Sequence, residues 1–290
     1  MKWIFSLFFL LFSFSFFSQQ RSIHLTLSKG KTYIHAIESQ SEIFQKSKGK
    51  TSKYTLEISA KISYKVKSIK QGNYHLETQY QQMMISVKTS DGNETRFNSD
   101  QPSKDVMSNF FYELCRTPFY ITMTPYGEIL EVDGISKVIE NGVKNLNLPQ
   151  VKIDEIKEKI SESYGENAFK GSFEIISLIY PKTLVSMNEP WSTQTKLYSK
   201  QFNAQMNNTY RWTSEDDQEL TFIGEADFTP IQGGQRENDL PVNGSSNISV
   251  KLDKDTGWIR KVHVTQVVRV GDKEGDEYSF TKSKTTYVNQ

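Results

Sequence analysis

From Lys53 to Lys67 the chain reads KYTLEISAKISYKVK, and its apolar and polar positions alternate without a break. Tyr54, Leu56, Ile58, Ala60, Ile62, Tyr64 and Val66 share one parity, while Lys, Thr, Glu and Ser fill the other. Successive side chains of a strand point to opposite faces, so this pattern predicts a long strand with one dry face and one wet face. A stretch of this length extends roughly 45–50 Å, longer than a typical strand. Strands that long twist and curl rather than lie flat.

The same reading along the chain predicts strands first. Lys31–Ser39 precedes a Gly- and Lys-rich loop around Gly49, in which Lys46, Lys48, Lys50 and Lys53 read as a solvated cluster. After the long strand comes GNYHLETQYQQMMISVK, where Tyr74, Leu76 and Tyr80 lie on one parity and Met83, Ile85 and Val87 on the other. A parity switch inside one apolar pattern marks a β-bulge or bend. Ser90–Glu94 is a turn sequence. A helix follows, with Ser103 as N-cap, Asp105 in the first turn, and Val106, Met107, Phe110, Phe111 and Leu114 at helical spacing. FYITMTPYGEILEVDG reads as a hairpin over 119–132 that turns at Pro125-Tyr126-Gly127. Three further helices are predicted, over Ile135–Leu146, Ile153–Ser163 and about Glu166–Ile179. From Pro181 the chain returns to strands joined by Asn-, Asp- and Gly-bearing turns. Residues Pro230–Ser246, polar and Gly-rich, read as a long loop.

Strands over 31–97, a helical block over about 103–179 and strands again over 192–289 define an α+β chain. The expected architecture is a long curled antiparallel sheet, an open or half barrel, packed around the central helices. The dry face of Tyr54–Val66 is expected to lie against those helices. Residues 19–290 are expected to form a single domain of this kind.

The N-terminus changes the picture of where the chain works. MKWIFSLFFLLFSFSFFSQQRS combines one Lys with an apolar run, the pattern of a secretory signal peptide over residues 1–18. The run is short against the ~20 residues that span a bilayer. Cleavage is expected after Ser18, with Ser15 as the alternative, and the product is expected to be exported to the periplasm or beyond the cell, with no membrane span left. The chain has one cysteine, Cys115, so an intrachain disulfide is excluded and the core must hold the fold. The formal net charge of +1 falls to zero once Lys2 is removed, which argues against nucleic acid as a partner.

FYITMTPYGEILEVDGIS before the helices and IYPKTLVSMNEPWS after them resemble an uncharacterised family of secreted proteins of the Bacteroidota. In that family the second segment reads as an aromatic, Pro, a short stretch, then Gly-Asp and Trp. Tyr180-Pro181 and Trp191 fit, whereas Met187-Asn188-Glu189-Pro190 departs from the Gly-Asp pair. The resemblance implies an exported protein and brings no assigned activity. The layout of a curled sheet around helices is similar to the periplasmic lipoprotein carriers, which hold acyl chains between sheet and helices. That is an analogy of element order, and no residue carries over.

No motif names a reaction. His24, His35, His75 and His263 are scattered, no HExxH or CxxC pair is present, and no cofactor is expected. DKDTG at Asp253–Gly257 has Thr256 where a calcium loop needs a third ligand, and reads as a hairpin turn. There is no GxSxG elbow or glycine-rich phosphate loop. Cys115 beside Arg116 would be activated if the guanidinium lowered its pKa, but a buried small residue is the preferred reading. Glu215, Asp216 and Asp217 read as solvated acids at a hairpin tip. The aromatic residues share parity with Leu, Ile and Val, which favours core over a sugar platform. The expectation is a non-enzymatic binding protein of the cell envelope, holding an apolar small molecule, a lipid or an envelope protein partner. The expected lining is Tyr54, Leu56, Ile58, Ile62, Tyr64, Met107, Phe110 and Phe111. The alternatives are a hydrolase of envelope or extracellular glycan or lipid with dispersed acids, and a structural or adhesive surface protein.

Overall fold

A computed structural model describes residues 20–103, 105–144, 146, 148–198, 203–231 and 240–290. The expected signal peptide, residues 1–18, and its cleavage site lie outside the described residues. The chain opens with three long strands, β1 (Thr32–Ser47), β2 (Lys50–Lys70) and β3 (Asn73–Thr89), and a short β4 (Glu94–Asn98). Helix α1 (Val106–Arg116), the hairpin β5 (Phe119–Met123) and β6 (Ile129–Asp133), and helices α2 (Ile135–Val143), α3 (Gln150–Tyr164) and α4 (Glu166–Ser177) form the middle. Six strands complete it: β7 (Pro190–Tyr198), β8 (Asn203–Glu215), β9 (Glu219–Pro230), β10 (Val242–Asp253), β11 (Ile259–Gly271) and β12 (Glu277–Asn289).

The twelve strands among the described residues belong to one open sheet in the order β6-β5-β3-β2-β1-β12-β11-β10-β9-β8-β7, with β4 paired to β3 off that path. Every pairing is antiparallel, and the two arms of the chain join where β1 meets β12, with Ile37 opposite Tyr287 and Ser41 opposite Ser283. The α+β order and the curled open sheet expected from periodicity are what the chain forms.

The parity argument holds through β2. Ala60, Ile62, Tyr64 and Val66 are buried, and Ile62 pairs across to His35 of β1 and Tyr80 of β3. The parity switch in β3 is a bulge opposite Lys61/Ile62, which returns Met83 and Ile85 to the face of Tyr80. Several boundaries differ from expectation. β1 runs on to Ser47 and turns directly into β2, so the Lys46–Lys53 cluster is the end of a hairpin, not a separate loop. The expected loop to Ser246 ends early, because β10 begins at Val242, whose polar residues alternate with buried ones; 232–239 lie outside the described residues. Asp105, not Ser103, is the N-cap of α1 and accepts from the Ser108 N–H.

Helix α1 lies on β3 and β4, whereas α4 touches β6 at one end of the sheet and β7 at the other. Its contacts with both are close. Glu174 accepts a hydrogen bond from the Ile129 N–H of β6, and Ser177 donates its hydroxyl to the Gly127 carbonyl in the β5–β6 turn. On the other side, a Cβ at Gly171 would come 2.9 Å from the Lys196 carbonyl oxygen of β7. Phe173 faces inward and meets Tyr64 of β2 edge-on, with centroids 6.1 Å apart.

Two substitution pairs test this packing. Ile62→Asp puts a carboxylate at a position with no exposure and is expected to cost about 4 kcal/mol or more, while Lys61→Asp, on the outer parity, stays within about 0.5 kcal/mol; equal losses in urea unfolding would refute the face assignment. Gly171→Ala is expected to lose about 1–3 kcal/mol through overpacking. Gly127→Ala should lose more, since its φ is +77° and its Cβ would sit 1.6 Å from the Ser177 oxygen. Wild-type melting of both variants would mean that α4 does not set the approach of the two edges.

Candidate functional site

The inner face of the sheet is the surface on which the pattern of buried residues converges. From Tyr33 to Gln45 on β1 it bears no Asp, Glu, Lys or Arg, and the register carries this across the neighbouring strands. One row runs through Leu56, Ser41, Ser283, Gln266, Ser246, Ala226 and Asn208. Charges sit on the opposite parity, where Lys67–Glu77 and Lys251–Glu219 pair at 3.0 and 2.7 Å on the outer surface.

The face has two zones. At the helical end it is sealed. His35, Tyr64, Trp258 and Phe173 form one aromatic cluster, with His35 stacked on Trp258 at 5.0 Å. A cavity of about 30 Å³ remains there, lined by Leu25, His35, Tyr64, Phe173, Tyr180 and Trp258 among others. That is room for about one water, far below the ~300 Å³ at which ligand pockets begin. Toward the tips of the β1–β2 hairpin the same face opens: Ile58, Leu56 and Tyr54 on β2, Ile43 on β1 and Val87 on β3 are only half-buried.

The expected lining residues divide along this line. Tyr54, Leu56 and Ile58 lie in the open zone, and Ile62 and Tyr64 in the sealed one. Phe110 and Phe111 are fully buried and pack on Tyr164 of α3, at 5.3 and 6.1 Å, with Met107 half-buried on the same helix. The helix that meets Tyr64 is α4, through Phe173, so α1 and the long strand do not face each other there.

His35 donates from Nε2 to the Ile259 carbonyl at 3.0 Å, and its Nδ1 has no partner. Burial pulls its pKa from 6.5 down to about 4, with the Ile259 bond offsetting part of the effect. Glu174 is moved the other way: burial raises its pKa, and the Ile129 N–H and Lys170 oppose the rise. It is a structural acid, and sequence reading missed it because a single Glu on a helix gives no sign of facing inward. Thr195, Asn208, Tyr210 and Ser246, all on the inner face of β7, β8 and β10, each keep a buried polar atom without a partner.

The other candidates resolve simply. Burial raises the Cys115 pKa, in keeping with the buried small residue preferred over activation by Arg116, whose guanidinium lies over the Tyr112 ring at 4.6 Å. Asp253 caps its own turn through the Thr256 N–H and hydroxyl, and binds Arg260 at 2.7 Å. His75 and His263 each bond a threonine hydroxyl on the outer face. Among the described residues no three His, Cys, Asp or Glu side chains stand close enough to share a metal, and no helix is long and apolar enough to cross a membrane.

One cleft was invisible to periodicity. About 670 Å³ in volume, it lies between Pro190–Gln194 of β7, Leu178–Thr183 and Glu128. Lys182 and Glu128 pair at 3.1 Å on its rim.

An open antiparallel sheet whose two ends are held by one helix, with an uncharged inner face, is the class of fold that these features define. The family of unknown function DUF6263 matches residues 71–259, and the chain belongs to that family. Among curated proteins no match is found. Of solved structures, one of lipovitellin, concerned with its lipid–protein interactions, is similar with a TM-score of 0.55 at 11% identity, over 91% of this chain and 25% of that one. At that identity the likeness concerns the fold, and the chain spans a quarter of the lipovitellin chain. An outer membrane channel from Pseudomonas putida F1 matches with a TM-score of 0.31 at 8% identity, over 92% of this chain and 98% of that one. That likeness is too slight to bear on fold or function.

The buried imidazole makes stability depend on pH. His35 has a depressed folded pKa, so its contribution is present above about 6.5 and is lost as pH falls toward 4. The full swing is about 3 kcal/mol. Glu174, with a raised folded pKa, acts in the opposite sense: its contribution is present below 4.5 and is lost as pH rises through the folded value. His35→Phe should therefore flatten the fall in melting temperature between pH 7 and pH 4.5. An unchanged slope would place the acid sensitivity elsewhere.

Proposed function

We propose that the protein is an exported binding protein that holds an apolar ligand, a lipid or a molecule of similar chemistry, against the open zone of its inner face. The observation that carries this is the strip of Tyr54, Leu56 and Ile58, half-buried on a face whose helical end is packed core. Apolar surface left partly in water next to a packed core gains free energy when covered, about 0.8 kcal/mol for each buried methylene before ordering costs. The absence of charged groups from this part of the face favours a ligand whose buried portion is uncharged, since an ion there would meet no countercharge. The half-buried hydroxyls of Thr281 and Ser283 and the amide of Gln266 give such a ligand a few oriented hydrogen-bonding groups. The lipovitellin likeness supports the choice of lipid as the first ligand to try. A hydrolase reading gains little, because Glu174, the buried acid beside the sealed zone, is bound to the Ile129 N–H, and Glu128, the acid that acts on it, is paired with Lys182.

The full chain, expressed with its leader and purified from the exported fraction, should carry co-purified lipid in native mass spectrometry. It should also bind a fluorescent fatty acid saturably, in competition with that lipid. Leu56→Asp is expected to weaken binding about tenfold or more, with a smaller loss of melting temperature than Ile62→Asp. Folded protein that shows no saturable binding, or Leu56→Asp that binds as wild type does, would overturn the proposal.

A further inference from the structure

The two ends of the open sheet are finished differently. At β6 the edge is blunted by side chains: Glu174 takes the Ile129 N–H, Ser177 bonds the Gly127 carbonyl, and Lys182 reaches Glu128. At β7, helix α4 covers the strand near Lys196, where Gly171 approaches its carbonyl. Between Pro190 and Gln194 that cover stops, and the 670 Å³ cleft begins.

The lining of the cleft reveals its direction. It touches five consecutive residues of β7, both the outward Pro190, Ser192 and Gln194 and the inward Trp191 and Thr193. Side chains of a strand alternate between faces, so a cleft that meets both parities runs beside the backbone edge and not over either face. The facing segment is held by side chains: Trp191 donates from Nε1 to the Ile179 carbonyl, and Thr193 donates its hydroxyl to the Leu178 carbonyl. Among the described residues, no backbone hydrogen bond outside the β7–β8 ladder involves 190–194. An edge strand so placed presents alternate N–H and C=O groups to an empty slot.

The geometry points to β-strand addition: the cleft takes an extended peptide segment of a partner protein, laid along Pro190–Gln194. Five residues of edge span roughly 17 Å, which matches a segment of four to five residues. The edge supplies backbone hydrogen bonds, which only another backbone in extended form satisfies in series. Lys182 and Glu128, exposed on the opposite wall, offer both signs of charge to the segment's polar side chains. Leu184, just beyond the wall and 54% exposed, offers one apolar contact. This site lies away from the open zone of the inner face and does not rest on the ligand reading above.

The test uses the full mature chain and a phage-displayed library of random heptapeptides. Selected peptides, made synthetically, should slow amide exchange within 190–194 and lose affinity about tenfold on N-methylation at alternate positions only. Thr183→Trp, which fills the cleft from its exposed wall, should abolish their binding with the melting temperature unchanged. The proposal is overturned if no peptide is selected, or if selected peptides leave exchange at 190–194 unaltered or tolerate every N-methyl group. Concentration-dependent protection of the same amides without peptide would also overturn it, in favour of edge-to-edge pairing of two copies.

Discussion

The rest of the structure depends on α4 standing between the two ends of an open sheet. Antiparallel sheets that do not close leave two rows of unpaired backbone groups, and barrels remove the problem by pairing them. Here a helix takes the place of the missing pairing. It reaches β6 with a carboxylate and a hydroxyl, and it reaches β7 by shape, through the missing side chain at Gly171. The carboxylate is a costly choice, since burial works against its charge, as the raised pKa of Glu174 shows. A hydrogen bond from a backbone N–H to a charged acceptor is about twice as strong as a neutral one, and that offsets part of the cost. With α4 fixed at both ends, Phe173 is delivered to Tyr64, and the aromatic cluster with His35 and Trp258 can close.

The uncharged inner face follows from register more than from composition. About a quarter of the chain is charged (24%), yet strict alternation sends those groups outward on strand after strand. The bulge in β3 is essential to this. If β3 ran on in regular alternation, without the bulge between Tyr80 and Met83, its second half would turn Met83, Ile85 and Val87 to water and Gln82 and Ser86 to the core. A bulge that absorbs one residue thus keeps the two halves of a seventeen-residue strand on a common face.

Much of this was legible in the sequence. The period of two in β2 gave its inward face residue by residue, the parity switch gave the bulge, and Pro125-Tyr126-Gly127 gave the β5–β6 turn. What was not legible is long-range. Nothing local to Thr32–Ser47 says that it pairs with a strand at the far end of the chain, because period fixes which face is dry and not which strand lies alongside. For the same reason, α1, with its Phe pair, looked as suited to cover Tyr64 as α4. The difference lies in chain path, since α1 is occupied by α2, α3 and β3. The cleft beside β7 was hidden more deeply: which strand ends a sheet is a property of topology, and the strand read from Ser192 onward carries no mark of lying at an edge.

The two zones of the inner face place opposite demands on the same strands. At the helical end, fixed side chains stabilise the fold, and the cavity there is no larger than a water molecule requires. At the hairpin end, apolar groups remain half in water, which forfeits part of the burial energy that a fully covered sheet would gain. A stable domain tolerates that loss only if the sealed end supplies enough on its own. Strands as long as β2 make the division possible, since one continuous hydrogen-bonded ladder carries both zones and transmits the order of the packed end to the open one. Ile62 and Leu56 are six residues apart on one face, roughly 20 Å along the strand. That separation lets the open zone change its side chains, and with them its ligand, while the aromatic cluster and α4 continue to hold the sheet.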